Sequence, residues 1–129
     1  MRRFLWRGIY IIYPPLLRLL EHCNIHVKRQ DFRLGVLNHK ASWKDIKKYL
    51  IKQGFEDAIL AWKDPDEILS MRKIDKEIFQ YHLRIFSDME VRGHYEYSSE
   101  GNPWRHVTEK KFEPASNYFN TLLKSYLKE

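Results

Sequence analysis

The sequence predicts an α+β fold: an antiparallel sheet of three to five strands with about three helices packed on one face. Two segments, 78–86 and 91–97, alternate polar and apolar side chains with a period of two, which is typical of half-buried strands. Apolar residues recur at helical spacing in three other segments: 15–26, 42–53 and 114–127. With 129 residues, of which 43% are hydrophobic, residues 1–129 are predicted to form one domain with a substantial core.

The first predicted helix runs from about Pro15 to His26, because proline suits the first turn of a helix. Its apolar stripe consists of Leu16, Leu19, Leu20, Cys23 and Val27. We expect this stripe to pack on the sheet and to bury the Cys23 thiol. The apolar run at 8–17 is only about half as long as a membrane span, so neither a span nor a signal peptide is predicted.

The second predicted helix begins at Ser42, where Asp45 three positions later can complete a capping box, and it ends at Gly54. Its apolar stripe is Trp43, Ile46, Tyr49 and Leu50. The connector before it, 28–40, is basic, and within it only residues 34–37 are predicted to be strand-like.

Residues 57–62 are predicted to form a strand. The next segment, 65–74, is compatible with two structures: Asp64-Pro65-Asp66-Glu67 is typical of a helix start, yet the alternation also fits a strand. We prefer the strand, because residues 68–97 would then form a continuous antiparallel meander.

A turn is predicted at 100–103, followed at 104–112 by an irregular segment or a short edge strand that contains His106. Pro114 is predicted to open the last helix. Its apolar stripe is Tyr118, Phe119, Leu122, Leu123, Tyr126 and Leu127.

The hairpin at 78–97 carries the candidate chemistry. Residues 87–89 are predicted to form a three-residue loop in which Met89 takes the left-handed conformation. That loop fixes the facing pairs as Phe86–Glu90, Arg84–Arg92, Leu83–Gly93 and His82–His94. One face of the hairpin is then apolar, and the other gathers imidazole, guanidinium and carboxylate groups.

The polar face of the hairpin supplies five candidate catalytic residues: His82, Arg84, Arg92, His94 and Glu96. A histidine pair can act as general base and general acid on a phosphodiester, with the arginines stabilising the developing charge. Facing arginines repel each other, so we expect an anion between them. That anion is either Glu90 or Glu96, or else a bound phosphate, carboxylate or nucleic-acid backbone.

His82, His94 and Glu96, with His106 nearby, are also residue types that bind Zn²⁺, Mn²⁺ or Fe²⁺. Because Arg84 and Arg92 would repel a cation, we expect no metal and no cofactor. An exposed polar sheet face without chemistry is the plain alternative.

The charge of the chain is unevenly distributed. About half of its 23 lysine and arginine residues lie in residues 1–54, which hold few of the 17 acidic residues. This asymmetry predicts a polyanionic partner: nucleic acid, either DNA or RNA, is preferred to another polyanion, and a membrane surface is less favoured. The candidate binding residues are Arg33, Lys40, Lys44, Lys47, Lys48 and Lys52.

The function predicted from sequence is therefore a small intracellular, nucleic-acid-associated protein. The single cysteine cannot form an internal disulfide, which favours the cytoplasm. Two alternatives stay open: a hydrolase of the phosphodiesterase or nuclease kind that uses the hairpin, and an interaction module that uses an exposed surface, with a homo-oligomer as one form. The sequence leaves it undecided whether the protein is an enzyme.

Overall fold

The computed structural model describes residues 15, 16, 18, 19, 22, 23, 32–58, 64–109 and 112–128. Within these residues the protein has an α+β fold, as predicted. The strands are β1 (Phe32–Val36), β2 (Glu56–Asp57), β3 (Glu67–Asp75), β4 (Phe79–Phe86) and β5 (Glu90–Tyr97). The helices are α1 (Trp43–Lys52), α2 (Pro103–Thr108) and α3 (Ser116–Leu122).

The five strands form one antiparallel sheet in the order β1-β5-β4-β3-β2. The preferred strand interpretation of residues 65–74 is confirmed, and β3, β4 and β5 form the predicted meander. Residues 64–67, whose sequence is typical of a helix start, form a turn into β3 instead. The Asp64 N–H donates to Glu67 Oε2 at 3.1 Å, and the Glu67 N–H donates to the Asp64 carbonyl at 3.1 Å.

The predicted register of the hairpin is confirmed. Arg84 faces Arg92 and His82 faces His94, and Met89 has a φ of 67°. At Gly93 a Cβ atom would lie 2.9 Å from the His82 carbonyl oxygen and 2.9 Å from Phe119 Cε2. The space left by this glycine is therefore filled by Phe119 of α3 and by Leu34 of β1.

The main core lies on the apolar face of the sheet. Helices α1 and α3 contribute to the same buried cluster as the strands. This cluster contains Leu37, Ile46, Leu50, Phe55, Leu69, Met71, Leu83, Ile85, Val91, Phe119 and Leu123. The predicted capping box holds the start of α1, where the Asp45 N–H donates to Ser42 Oγ at 3.2 Å and the Ser42 N–H donates to Asp45 Oδ2 at 3.3 Å. That hydrogen bonding lowers the pKa of the Asp45 carboxyl.

The first predicted helix is described only in part. Residues 15, 16, 18, 19 and 22 are helical, and the Cys23 N–H donates to the Leu19 carbonyl at 3.1 Å. The predicted burial of this stripe is wrong at Leu16, Leu19 and Cys23, which are exposed. Helical spacing places apolar residues on one side, but it does not supply a surface that covers them. The rest of the prediction for 15–26, including Leu20, lies outside the described residues.

The prediction for 104–112 is wrong at 104–108, because these residues belong to α2. Pro103 occupies its first turn, and the Arg105 N–H donates to Asn102 Oδ1 at 3.1 Å. The same Asn-Pro pair also suits a turn, and a helix of six residues has too little periodicity to be detected.

The other element boundaries shift from the predictions. Helix α3 begins at Ser116, after Ala115 in the left-handed conformation (φ 48°), and it ends well before residue 127. The chain then leaves the helix, and Leu127 forms a β-bridge with Leu37. In the predicted strand 57–62, only Asp57 belongs to a strand, residue 58 does not, and residues 59–62 lie outside the described residues.

In the part of the chain that the structure describes, no helix combines the length and the apolar character needed to cross a bilayer.

Candidate functional site

The polar face of the hairpin is brought together as predicted, but it is buried. His82, Arg84, His94 and Glu96 are each at most 6% exposed, whereas the Arg92 side chain is 41% exposed. Part of the cover comes from the segment after β5. The Phe112 ring lies 5.6 Å from the His94 ring, and His106 of α2 approaches Glu96. The plain alternative, an exposed polar sheet face, is therefore wrong for these four residues.

The two imidazoles lie edge to face. The centroids of the His82 and His94 rings are 5.0 Å apart, with an angle of 83° between the ring planes. His82 Nε2 lies 2.8 Å from Ser70 Oγ on β3. Because the hydroxyl group can donate or accept, it fixes the orientation of the ring in either tautomer.

Glu96 is held between the histidines and the amide of Gln80. The Gln80 Nε2–H donates to Glu96 Oε1 at 2.8 Å, and the same oxygen lies 3.2 Å from His94 Nε2. The other oxygen, Oε2, lies 3.8 Å from His106 Nδ1. That nitrogen also donates to the Tyr97 carbonyl at 2.7 Å, which anchors α2 beside the end of β5.

Arg72 of β3 extends the polar cluster towards solvent. Its Nη1–H donates to Gln80 Oε1 at 3.3 Å, and its Nη2 lies 2.6 Å from Glu100 Oε1 and 3.0 Å from Glu56 Oε1. Burial raises the pKa of the Glu100 carboxyl, but the hydrogen bond and the charge of Arg72, together with hydrogen bonds from the backbone and Ser99, outweigh this effect and lower it. For the same reason the pKa of Arg72 is raised, although its own burial opposes the change.

Arg84 is compensated by two carboxylates. Its Nη2 lies 2.6 Å from Asp64 Oδ2 and 2.5 Å from Glu67 Oε2. The register of β3 against β4 shifts between Glu67 and Leu69. This irregularity lets Glu67 reach the polar face although Leu69 packs in the core.

Arg92 is matched by Glu90, whose Oε1 lies 3.1 Å from Arg92 Nε and 3.5 Å from Arg33 Nε. The guanidinium groups of Arg84 and Arg92 both lie against the Phe86 ring, at 5.0 and 4.6 Å from its centroid. Of the two carboxylates predicted to lie between the facing arginines, Glu90 contacts Arg92 and Glu96 contacts His94. Arg84 is instead paired with Asp64 and Glu67.

Sequence reasoning missed four members of this cluster: Asp64, Glu67, Ser70 and Arg72. All four lie on β3 or on the turn before it, in the segment that could have been either a helix or a strand. Once β3 is assigned as a strand, Ser70 faces Arg84 and Arg72 faces His82. The strand assignment alone would have placed these two on the polar face.

The predicted nucleic-acid residues do not form one surface. Lys40, Lys44, Lys48 and Lys52 are exposed in or just before α1, which packs on the apolar face of the sheet. Lys47 is half-buried and lies 3.3 Å from Asp57 Oδ1. Arg33 pairs with Arg92 in the sheet and therefore lies on the opposite, polar face.

His82, His94 and Glu96 meet the geometric requirement for a metal centre. Each offers one ligand atom, and these atoms lie within 4.8 Å of one another.

Comparisons with protein-family models, with curated proteins and with solved structures give no match. The functional proposals below therefore rest on the chemistry and geometry of the described residues.

Proposed function

We propose that the protein binds a polyanion, with nucleic acid as the expected class, through the α1 lysine patch, defined as Lys40, Lys44, Lys48 and Lys52. The supporting observation is that all four side chains are exposed. None of them forms an ion pair with another residue in the described part of the chain.

Exposed lysines favour phosphate contact because binding releases counterions from the nucleic acid. Such contacts carry little sequence information. The apolar side of α1 is occupied by Ile46 and Leu50 in the core, so the helix is firmly seated and presents its lysines outward. We therefore propose a salt-sensitive, weakly sequence-specific interaction.

Replacing Lys44, Lys48 and Lys52 together with glutamate is expected to abolish binding to a labelled oligonucleotide at moderate salt. Three phosphate contacts would be lost, and three repulsive charges would be added. Fluorescence anisotropy at several salt concentrations measures the effect. For the unmodified protein, the logarithm of the binding constant should fall steeply with the logarithm of salt concentration.

A matched control makes the same change in net charge elsewhere: Lys76, Lys124 and Lys128, all exposed, are replaced with glutamate. This variant should lose much less affinity, since it disturbs only the long-range field. Equal losses in the two variants would show that net charge matters and the α1 lysine patch does not. Binding that is unchanged in the α1 variant would refute the proposal.

The second candidate is a phosphodiester hydrolase, favoured by the 5.0 Å separation of the His82 and His94 rings beside Glu96. One imidazole would take a proton from the attacking water, and the other would give a proton to the leaving oxygen as the P–O bond breaks. Arg92 is the exposed arginine of the pair, and it is therefore the one placed to contact a phosphate. Both rings are buried, so the cover formed by Phe112 and α2 would have to open.

For this second candidate, turnover of a chromogenic phosphodiester is expected to fall by about 10²–10⁴-fold in His82→Ala and in His94→Ala. His39→Ala, which changes an exposed histidine in the turn before α1, serves as the control and should keep full activity. Circular dichroism checks that each variant is folded. A folded His94→Ala variant with undiminished turnover would exclude this chemistry.

A further inference from the structure

We infer that His82, His94 and Glu96 form a binding site for a divalent transition metal of the Zn²⁺ class. Two imidazoles and one carboxylate are a donor set that suits Zn²⁺ and Fe²⁺ better than Mg²⁺ or Ca²⁺. All three residues are buried, and they come from adjacent, directly paired strands. The backbone of the sheet therefore fixes their relative positions.

The distances are close to those of a metal centre. Bonds of roughly 2.0–2.1 Å in a tetrahedral site place neighbouring ligand atoms about 3.3 Å apart. His94 Nε2 and Glu96 Oε1 are already 3.2 Å apart, and the whole set lies within 4.8 Å. Small side-chain rotations would bring the His82 ligand atom to the same spacing.

The neighbours of these residues act as orienting partners. A metal-binding histidine usually places its second ring nitrogen on a hydrogen-bonding group, and a metal-binding carboxylate is usually hydrogen-bonded as well. Ser70 Oγ lies 2.8 Å from His82 Nε2 and orients that ring. The amide of Gln80 donates to Glu96 and orients its carboxylate.

The positive charge of the nearby arginines, which argued against a metal at the level of sequence, is balanced in the structure. Arg84 lies against Asp64 and Glu67, and Arg92 lies against Glu90. Arg33 shares Glu90 with Arg92, so three guanidinium groups are matched by three carboxylates before Glu96 is considered. The local field is therefore no barrier to a cation.

Three protein ligands leave one tetrahedral position for water or another small ligand. His106 is a neighbour of Glu96, but it does not belong to the group whose ligand atoms lie within 4.8 Å of one another. We therefore assign His106 a positioning role and exclude it from the ligand set. This site is separate from the α1 lysine patch, so it does not depend on the proposed polyanion binding. It is an alternative to the two-histidine hydrolase, because imidazoles that bind a metal could not serve as its general base and general acid.

The test uses the full chain, stripped of metal with a chelator and titrated with Co²⁺, which reports tetrahedral coordination by its visible absorption. We expect one equivalent to bind and Zn²⁺ to displace it. Glu96→Gln and His94→Ala should each abolish the tetrahedral spectrum, whereas His39→Ala should retain it. Ser70→Ala keeps all three ligands and should weaken affinity by about 10–100-fold.

Three results would overturn the inference: no tetrahedral Co²⁺ spectrum with the unmodified chain, an unchanged spectrum in a folded Glu96→Gln variant, or equal loss in His39→Ala. The first would mean that the cluster is a metal-free hydrogen-bonded network. If His94→Ala fails to fold, Glu96→Gln and Ser70→Ala still decide the question, since both replacements are close in size to the original residue.

Discussion

Arg84→Met is expected to lower the free energy of unfolding by about 3–5 kcal/mol, the usual effect of removing one partner of a buried ion pair. The Arg84 side chain is 7% exposed, and that of its partner Glu67 is 0% exposed. Methionine keeps much of the length of arginine but leaves the Glu67 carboxylate buried without its compensating charge. Urea unfolding followed by circular dichroism measures the change.

Arg33→Met is the matched control, because Arg33 also pairs with a carboxylate, Glu90, but its side chain is 65% exposed. Its effect should stay within about 0.5 kcal/mol. The double variant Arg84→Met/Glu67→Gln should recover part of the lost stability, since it also removes the buried negative charge. If Arg84→Met costs no more than Arg33→Met, the buried ion pair does not form in solution.

Phe119→Ala is expected to lower the free energy of unfolding by about 3–5 kcal/mol, because it would leave a large cavity. Phe119 is fully buried, packs edge-on against Tyr81 and reaches the space above Gly93. It therefore joins α3 to the centre of the sheet. Thermal or urea unfolding gives the change in free energy.

Trp104→Ala removes an even larger ring that is 69% exposed on α2, and its effect should stay within about 0.5 kcal/mol. The loss of stability in Phe119→Leu should lie between the losses in Phe119→Ala and Trp104→Ala, because leucine leaves a smaller cavity than alanine. A Phe119→Ala variant as stable as Trp104→Ala would show that α3 does not pack on the sheet in the way described.

The pairing in the hairpin could be predicted in detail because it depends on residues that are close together in the sequence. A loop at residues 87–89 leaves one register that keeps Leu83 and Ile85 on the apolar side. A slip by one residue would turn both towards the polar face, so the alternation and the loop length specify the same pairing. The neighbouring positions of His82 and His94 follow from that register alone.

The environment of the same histidines could not be predicted, because it depends on contacts between distant segments. Their burial comes partly from Phe112 and from α2, which is too short to show a helical period. Glu67 reaches Arg84 through a strand irregularity that no residue pattern announces. Periodicity identifies which side chains share a face, but it does not identify what covers that face.

The exposed Cys23 shows the same limit of prediction for the apolar stripe of the first predicted helix. Its spacing from Leu19 is helical, and the helical hydrogen bond between their backbones is present. The local conformation was therefore predictable at this point, whereas docking was not. Docking requires a complementary surface, and a single amphipathic segment contains no information about one.

The placement of β1 at the far side of β5 has a consequence for how the chain folds. Phe32 pairs with Gly93, and the Lys128 N–H donates to the Val36 carbonyl at 2.8 Å, so β1 contacts residues that come much later in the sequence. Contacts between such distant residues require closing long loops, whereas β3, β4 and β5 are joined by short turns. The meander can therefore form first, with the outer strand and the C-terminal residues locking it afterwards.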